Sequence, residues 1–277
     1  SVNFLVVQYS FSYHNSGELI YRQKSNQNRY TSNELCAISI ENSSAPILND
    51  SQPLLAIRNG QSNLKWATAE CESISQFWPG KHISKSSLTS TDIQSYTYNN
   101  DIVHLAMHAD MDKKNIYKSA LIAGKNEEDR IFLSDILSSH NKAKLITLSA
   151  CQTGLGKVSP GQMSNSLASA FLYAGTSSVN MSLWNVPDES TSDIMISFYK
   201  HLATGVTKDK ALQQAKLDYL ANVEDPALAH PYYWAGFVVF GDTRPLLPPD
   251  SHTGWWILFG VILLLFGIGY AFRQKAV

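Results

Sequence analysis

The sequence predicts an α/β fold, a mostly parallel sheet with helices on both faces, followed by one transmembrane helix. Three observations predict it. Short apolar runs of strand length, "DIVHLAMHA", "KLITLSA", "SSVNMSLW" and "YYWAGFVVFGD", are separated by amphipathic stretches of helix length. Strands and helices that alternate at this spacing need right-handed crossovers, which leave neighbouring strands parallel. Near the end, "GWWILFGVILLLFGIGYAF", residues 254–272, carries no charged side chain; as a helix it spans roughly 28 Å, close to the hydrocarbon thickness of a bilayer.

The elements follow in chain order. "NFLVVQYSFSY" near the start reads as a strand, and "YRQKSNQNRYTSN" as a polar loop or disordered stretch. "PLLAIRNG", residues 53–60, is a short apolar run stopped by Asn-Gly, a parallel-strand candidate. "WATAECESISQFW" places Ala67, Cys71, Ile74 and Phe77 on one helical face, with Cys71 as core packing. "STDIQSY" is a short helix with Ser90 or Thr91 as N-cap. After the "DIVHLAMHA" strand, "SALIAG" and "RIFLSDIL" form a hairpin-type excursion leading into a short helix near Ser134. "KLITLSA" is a second buried strand. "QMSNSLASAFLYAG" is a helix with Met163, Leu167, Ala170, Phe171 and Ala174 on one face and Gly175 as C-cap. "SSVNMSLW" is a strand, and two helices follow, the first stopped by Gly205 and the second capped by Thr207. "YYWAGFVVFGD" is the last strand.

These elements divide the chain into residues 1–50, a partial N-terminal segment of the main domain, and residues 51–242, the domain itself. A Pro-rich linker covers 243–253, the membrane helix 254–272 and a short basic tail 273–277. Trp255, Trp256 and Tyr270 sit where an aromatic belt would place them, and Arg273 and Lys275 follow at once. The flank before the helix has no Lys or Arg nearer than Arg244, so the positive-inside rule orients the C-terminus to the cytoplasm and the main domain to the outside, in a periplasm. The chain opens on Ser rather than Met without a signal peptide, which predicts a fragment or a processed product.

Composition narrows the function. Of 277 residues, 44% are hydrophobic and 16% charged, with a net charge of -1, so no basic face invites nucleic acid. Three cysteines are too few and too scattered for a disulfide framework or a zinc site. "GLGK" after Cys151 lacks the phosphate-loop spacing, because Gly154 and Gly156 are too close and Val158 stands where a hydroxyl residue belongs.

Chemistry concentrates at the carboxyl ends of strands, where ligands of open parallel sheets bind. Cys151 ends "KLITLSA" and His108 ends "DIVHLAMH", so two neighbouring parallel strands would bring a thiol and an imidazole to one rim. The imidazole can take the thiol proton and pass it to a leaving amine. The glycine-containing loop after Cys151 leaves room for substrate, and backbone N–H groups such as that of Cys151 can hold an oxyanion. Acyl transfer is the natural reaction class. On a continuous strand His104 would share a face with His108, about 13 Å away along it; inside the apolar run it reads as a packed, hydrogen-bonded histidine. The His-x-x-x-His spacing suits zinc on a helix, but this is a strand without the accompanying Glu, so no metal is expected.

Several segments together resemble the CHAT domain, a caspase-like, separase-related family of cysteine peptidases often fused to helical repeats in bacteria. They are "DIVHLAMHAD", "LITLSACQTGLGK", "SLASAFLYAGTSSVNMSLWNVPDESTSDIMISFYKHLATG", "KDKALQQAKLDYL" and "HPYYWAGFVVFG". The resemblance runs over roughly residues 53–242, and "FLVVQYSFSYHNSG" looks like the family's preceding strand. It implies a caspase-like sheet and a cysteine endopeptidase in a regulated bacterial signalling or defence assembly, which the apolar run 254–272 would anchor to a membrane. His108 and Cys151 would form the catalytic dyad, with the N–H groups of Ala109 and Cys151 as oxyanion hole. The partners it implies are a protein or peptide substrate and helical repeats N-terminal to this segment; no cofactor is implied. The family usually has Gly after its catalytic His, so Ala109 predicts strain if that position needs positive φ. Asp188 and Glu189 could read a basic residue before the scissile bond or sit on a helix N-terminus, where acids favour the dipole. Trp184 could line a substrate pocket or end a strand in the core. The alternative to a peptidase is a catalytically silent caspase-like interaction module.

Overall fold

A computed structural model describes residues 12–13, 35–40, 65–78, 80–85, 87–112, 115–124, 126, 129–149 and 166–247. In chain order the strands are β1 Ser12–Tyr13, β2 Leu35–Ile40, β3 Gly80–Lys85, β4 Ile102–Ala106, β5 His108–Asp110, β6 Ala120–Ile122, β7 Arg130–Phe132, β8 Leu145–Leu148, β9 Ser178–Ser182 and β10 Phe237–Gly241. The helices are α1 Lys65–Phe77, α2 Ser90–Asn99, α3 Leu133–Leu137, α4 Leu167–Tyr173, α5 Asp188–Leu202 and α6 Lys208–Asn222. Among the described residues, seven strands form the main sheet in the order β1-β10-β9-β8-β4-β2-β3. All its neighbours are parallel except β9 and β10. The predicted mostly parallel sheet between helices is present.

Period-2 alternation sorts each strand between two cores. Val103, Leu105, Ile146, Leu148, Val179 and Met181 face one cluster, which includes Phe171 of α4 and Ile136 of α3. Ile102, Ala106 and Leu145 face the other, with Cys71 and Ile74 of α1, Phe198 and Tyr199 of α5, and Leu212 of α6. Each large apolar side chain removed from water contributes about 1.5–3 kcal/mol. Across the middle of the sheet runs an exception, the register-aligned row His104, Thr147 and Asn180, all buried.

Local chemistry sets the helix ends. The N-cap of α2 is Thr89, one or two residues before the expected Ser90 or Thr91. Its hydroxyl accepts from the Asp92 N–H at 3.2 Å, and the Asp92 carboxylate accepts from the Thr89 N–H at 2.9 Å. This reciprocal pair satisfies two donors at the helix start. Ser166 and Ser169 do the same for α4. Gly175 ends α4 with φ +116°, as expected of a C-cap glycine. A Cβ there would lie 2.6 Å from the Asn141 carbonyl oxygen. Asn141 cannot retreat, because its N–H donates to Ala174 O at 2.7 Å and its side chain accepts from Thr97 at 2.6 Å. Gly175→Ala is therefore expected to cost about 2–3 kcal/mol, seen as a lower urea midpoint at unchanged slope.

The structure departs from the expected elements in two places. β2 and β3, which the sequence pattern did not mark, lie on one side of the sheet beside β4. "DIVHLAMHA" is not one strand. It breaks at the buried Met107, and β5 joins β6 and β7 in a separate antiparallel sheet. The expected strand at residues 53–60 and the expected membrane helix at 254–272 lie outside the described residues. Among the described residues no helix is long and apolar enough to cross a membrane.

Candidate active site

β4 and β8 are adjacent and parallel, with Leu105 opposite Leu148. The ladder extends one residue further, where the Ser149 N–H donates to Leu105 O at 3.0 Å. Both strands thus end at the same rim. From β4 the chain passes Met107 and delivers His108 as the first residue of β5, opposite Ile122 of β6. From β8 it runs through Ser149 toward Cys151, which lies outside the described residues.

His108 is half-buried, and its Nε2 is buried without a hydrogen-bond partner among the described residues. Burial pushes the imidazole below its usual pKa, and the Asp188 carboxylate works in the opposite direction. The ring is thereby kept mainly neutral at pH 7, the state a general base requires. Because Asp188 favours the charged ring, Asp188→Asn is expected to lower the His108 pKa further. Ring-proton NMR titration of the Cys151→Ala chain, which lacks the thiol charge, reads this directly: the midpoint falls below 6.5 in that chain and falls again with Asp188→Asn.

Ala109 pairs with Leu121 inside β5, and extended strand backbone is open to any L residue. The strain expected from alanine in the usual glycine position does not arise there. Asp110 pairs with Arg130 of β7, tying the small sheet together beyond the candidate histidine.

His104 does not share a site with His108. It is fully buried under α1 and α5, its ring edge-on to Tyr199 at 5.4 Å and its Nε2 2.9 Å from Glu70 Oε1. The expected packing of His104 is present, but neither ring nitrogen makes a hydrogen bond among the described residues; the shared face with His108 is absent, because the chain breaks at Met107.

Asp188 and Glu189 form the first turn of α5, where negative charge meets the positive helix end. Asp188 is half-buried and Glu189 exposed. Trp184 is half-buried against the second core and donates its indole N–H to Tyr232 O at 2.8 Å. Gly236 lies beneath it: a Cβ there would come within 3.0 Å of the indole. Beside Trp184, an open depression of about 950 Å³ is lined by Pro226, Ala227, Ala229, His230, Pro231, Tyr232 and Tyr233.

Sequence reasoning missed, among others, the buried Glu70 and Lys208 and the half-buried Lys216. Glu70 of α1 receives the Ser149 hydroxyl at 2.7 Å. Lys216 of α6 donates to Phe237 O at 2.7 Å, and Lys208 donates to Asp242 O at 3.0 Å. Burial lowers both amines to about 8. The lysines hold the two ends of β10 to α6. Lysines on helices read as solvated, so nothing in the pattern marked them; Glu70, beside Cys71 on an otherwise apolar face, was the one visible signal.

The sequence matches the CHAT domain over residues 1–242. The chain belongs to the CHAT domain family. Tetratricopeptide repeat protein 28 of Mus musculus is 31% identical over 121 residues, and its Homo sapiens counterpart 32% over 121. Each alignment covers 44% of this CHAT chain but only 5% of the relative's own length. Among solved structures, Saccharomyces cerevisiae separase in its complex with securin superposes with a TM-score of 0.56 at 11% identity, over 84% of this chain and 14% of that one. Gingipain R of Porphyromonas gingivalis, an Arg-specific cysteine proteinase, gives 0.52 at 14% identity, over 82% of this chain and 52% of that one. At these identities the likeness is one of fold: the CHAT domain shares the mixed α/β architecture of these two structures.

Proposed function

We propose that this CHAT domain is a cysteine endopeptidase that hydrolyses peptide bonds with Cys151 as nucleophile and His108 as proton carrier. The observation that carries the reading is the adjacency of β4 and β8, with the His108 Nε2 buried and without a hydrogen-bond partner among the described residues. His108 takes the thiol proton as sulfur attacks the scissile carbonyl carbon. The oxyanion is held by the N–H groups of Ala109 and Cys151. As the tetrahedral species collapses, the C–N bond breaks, His108 returns the proton to the leaving amine, and a thioester remains. Water, deprotonated by the same imidazole, attacks the thioester and releases acid and thiol.

The substrate is a protein or peptide. Asp188, half-buried and near enough to bear on His108, suits a basic side chain before the scissile bond, with Glu189 at the pocket edge and Trp184 as an apolar wall. Residues 254–272 anchor the domain to a membrane, with the main domain outside and Arg273 and Lys275 in the cytoplasm; protection of the domain from added protease in osmotically opened cells would contradict that orientation.

A second reading, a silent interaction module, is favoured by the name of the curated relatives, which are tetratricopeptide repeat proteins. An irreversible thiol-directed peptide probe separates the two. A peptidase is labelled at Cys151, and labelling is lost in Cys151→Ala and strongly slowed in His108→Ala. Labelling that survives in Cys151→Ala, or persists unchanged in His108→Ala, contradicts the dyad and leaves the interaction module as the reading.

A further inference from the structure

A carboxylate buried in a sheet core needs a reason, because taking its charge out of water is costly unless its partners compensate. Glu70 is 2% exposed. One of its oxygens, Oε1, meets two groups from two adjacent strands: the Ser149 hydroxyl at 2.7 Å, just past β8, and His104 Nε2 of β4 at 2.9 Å. The imidazole contact departs from straight hydrogen-bond geometry and is a close polar contact that packs against the carboxylate. The Glu70 field also reaches Tyr199, whose ring packs on His104 and whose hydroxyl donates to Thr147 of β8 at 2.9 Å. Ser149 is held twice, by its backbone N–H to Leu105 O and by its side chain to α1. Two residues later the chain reaches Cys151.

We propose that Glu70, supported by His104, is a positioning residue for the nucleophile: by holding Ser149 it sets the direction in which the chain leaves β8 on its way to Cys151. The proposal rests on the dyad reading above. A purely space-filling role would be met by an apolar side chain at position 70, continuing the face made by Ala67, Cys71 and Ile74. A charge aimed at the last residue of the β8 ladder is suited to fixing a direction. Displacement of a reacting group by about 1 Å can cost roughly 100-fold in rate, so a single side-chain tether at this place has leverage.

The test uses the full chain and two readouts at Cys151, both followed by mass spectrometry. One is the pH dependence of alkylation by iodoacetamide, which reports thiolate formation whether or not any peptide is cleaved. The other is the labelling rate with the peptide probe. In the wild type the alkylation midpoint lies below the ordinary thiol value of about 8.5. Ser149→Ala and Glu70→Gln are expected to move it up toward that value and to slow probe labelling about 10- to 100-fold. The double variant should be no slower than the slower single, since both remove one tether, and Ser149→Thr, which keeps the hydroxyl, should recover most of the rate. Should Glu70→Gln fail to fold, Ser149→Ala at its half-buried position carries the test alone. Folded variants that keep the wild-type profile and rate overturn the positioning role and leave the dyad standing. A wild-type Cys151 that titrates like a free thiol and takes no probe overturns the dyad, and the positioning role with it.

Discussion

His108→Ala is expected to lower the rate of peptide hydrolysis by about 100- to 10,000-fold, the range that a positioned acid–base group supplies, and Cys151→Ala to abolish turnover. The two differ in kind. Without its sulfur the chain has no acyl acceptor, whereas without the imidazole the few per cent of thiolate present at neutral pH still attacks slowly. The loss in His108→Ala should appear in kcat, because the imidazole acts on protons in flight and not on the bound peptide. It should shrink as pH rises toward the thiol pKa, where hydroxide does the work of the base. Steady-state kinetics on a cleaved peptide between pH 6 and 9 checks both statements. A uniform loss at every pH would mean that His108 serves the fold and not the proton transfer.

Phe198→Ala costs about 3–5 kcal/mol of stability. Phe198 is fully buried in α5, edge-on to Tyr199 with ring centroids 5.5 Å apart, in the core shared with α1 and α6. Domains of this kind have only about 5–15 kcal/mol in hand, so the substitution removes a large share of it. α5 also carries Asp188 at its start, so loosening this core loosens the side chain that bears on His108. Chemical denaturation measures the loss; a change below about 1 kcal/mol would show that the helix repacks around the void.

The sequence made most of the framework legible because its strands are short apolar runs and its helices carry one apolar face. α5 and α6 fall where Gly205 and Thr207 place them, and β8, β9 and β10 lie in the expected runs. β2, "LCAISI", escaped because its neighbours in sequence are polar and featureless, and β3, "GKHISK", because an edge strand is half solvated and its pattern is thin. The break at Met107 was hidden for another reason. Hydrophobic periodicity continues smoothly through "HLAMHA", since Met107 still enters the core, and nothing local announces a change of sheet. At the candidate site, His108 and the proposed Cys151 stand in the sequence as polar residues at the ends of apolar runs. The Glu70 contact was not, because it joins residues 79 positions apart, and only the folded packing of α1 on the sheet brings them together.

The most direct test is a crystal structure of the wild-type chain carrying a peptide probe on Cys151. The sulfur is expected within about 4 Å of a His108 ring nitrogen, with the probe's carbonyl oxygen facing the Ala109 N–H. A sulfur more than about 10 Å from that ring, or a core layer packed between them, would contradict it.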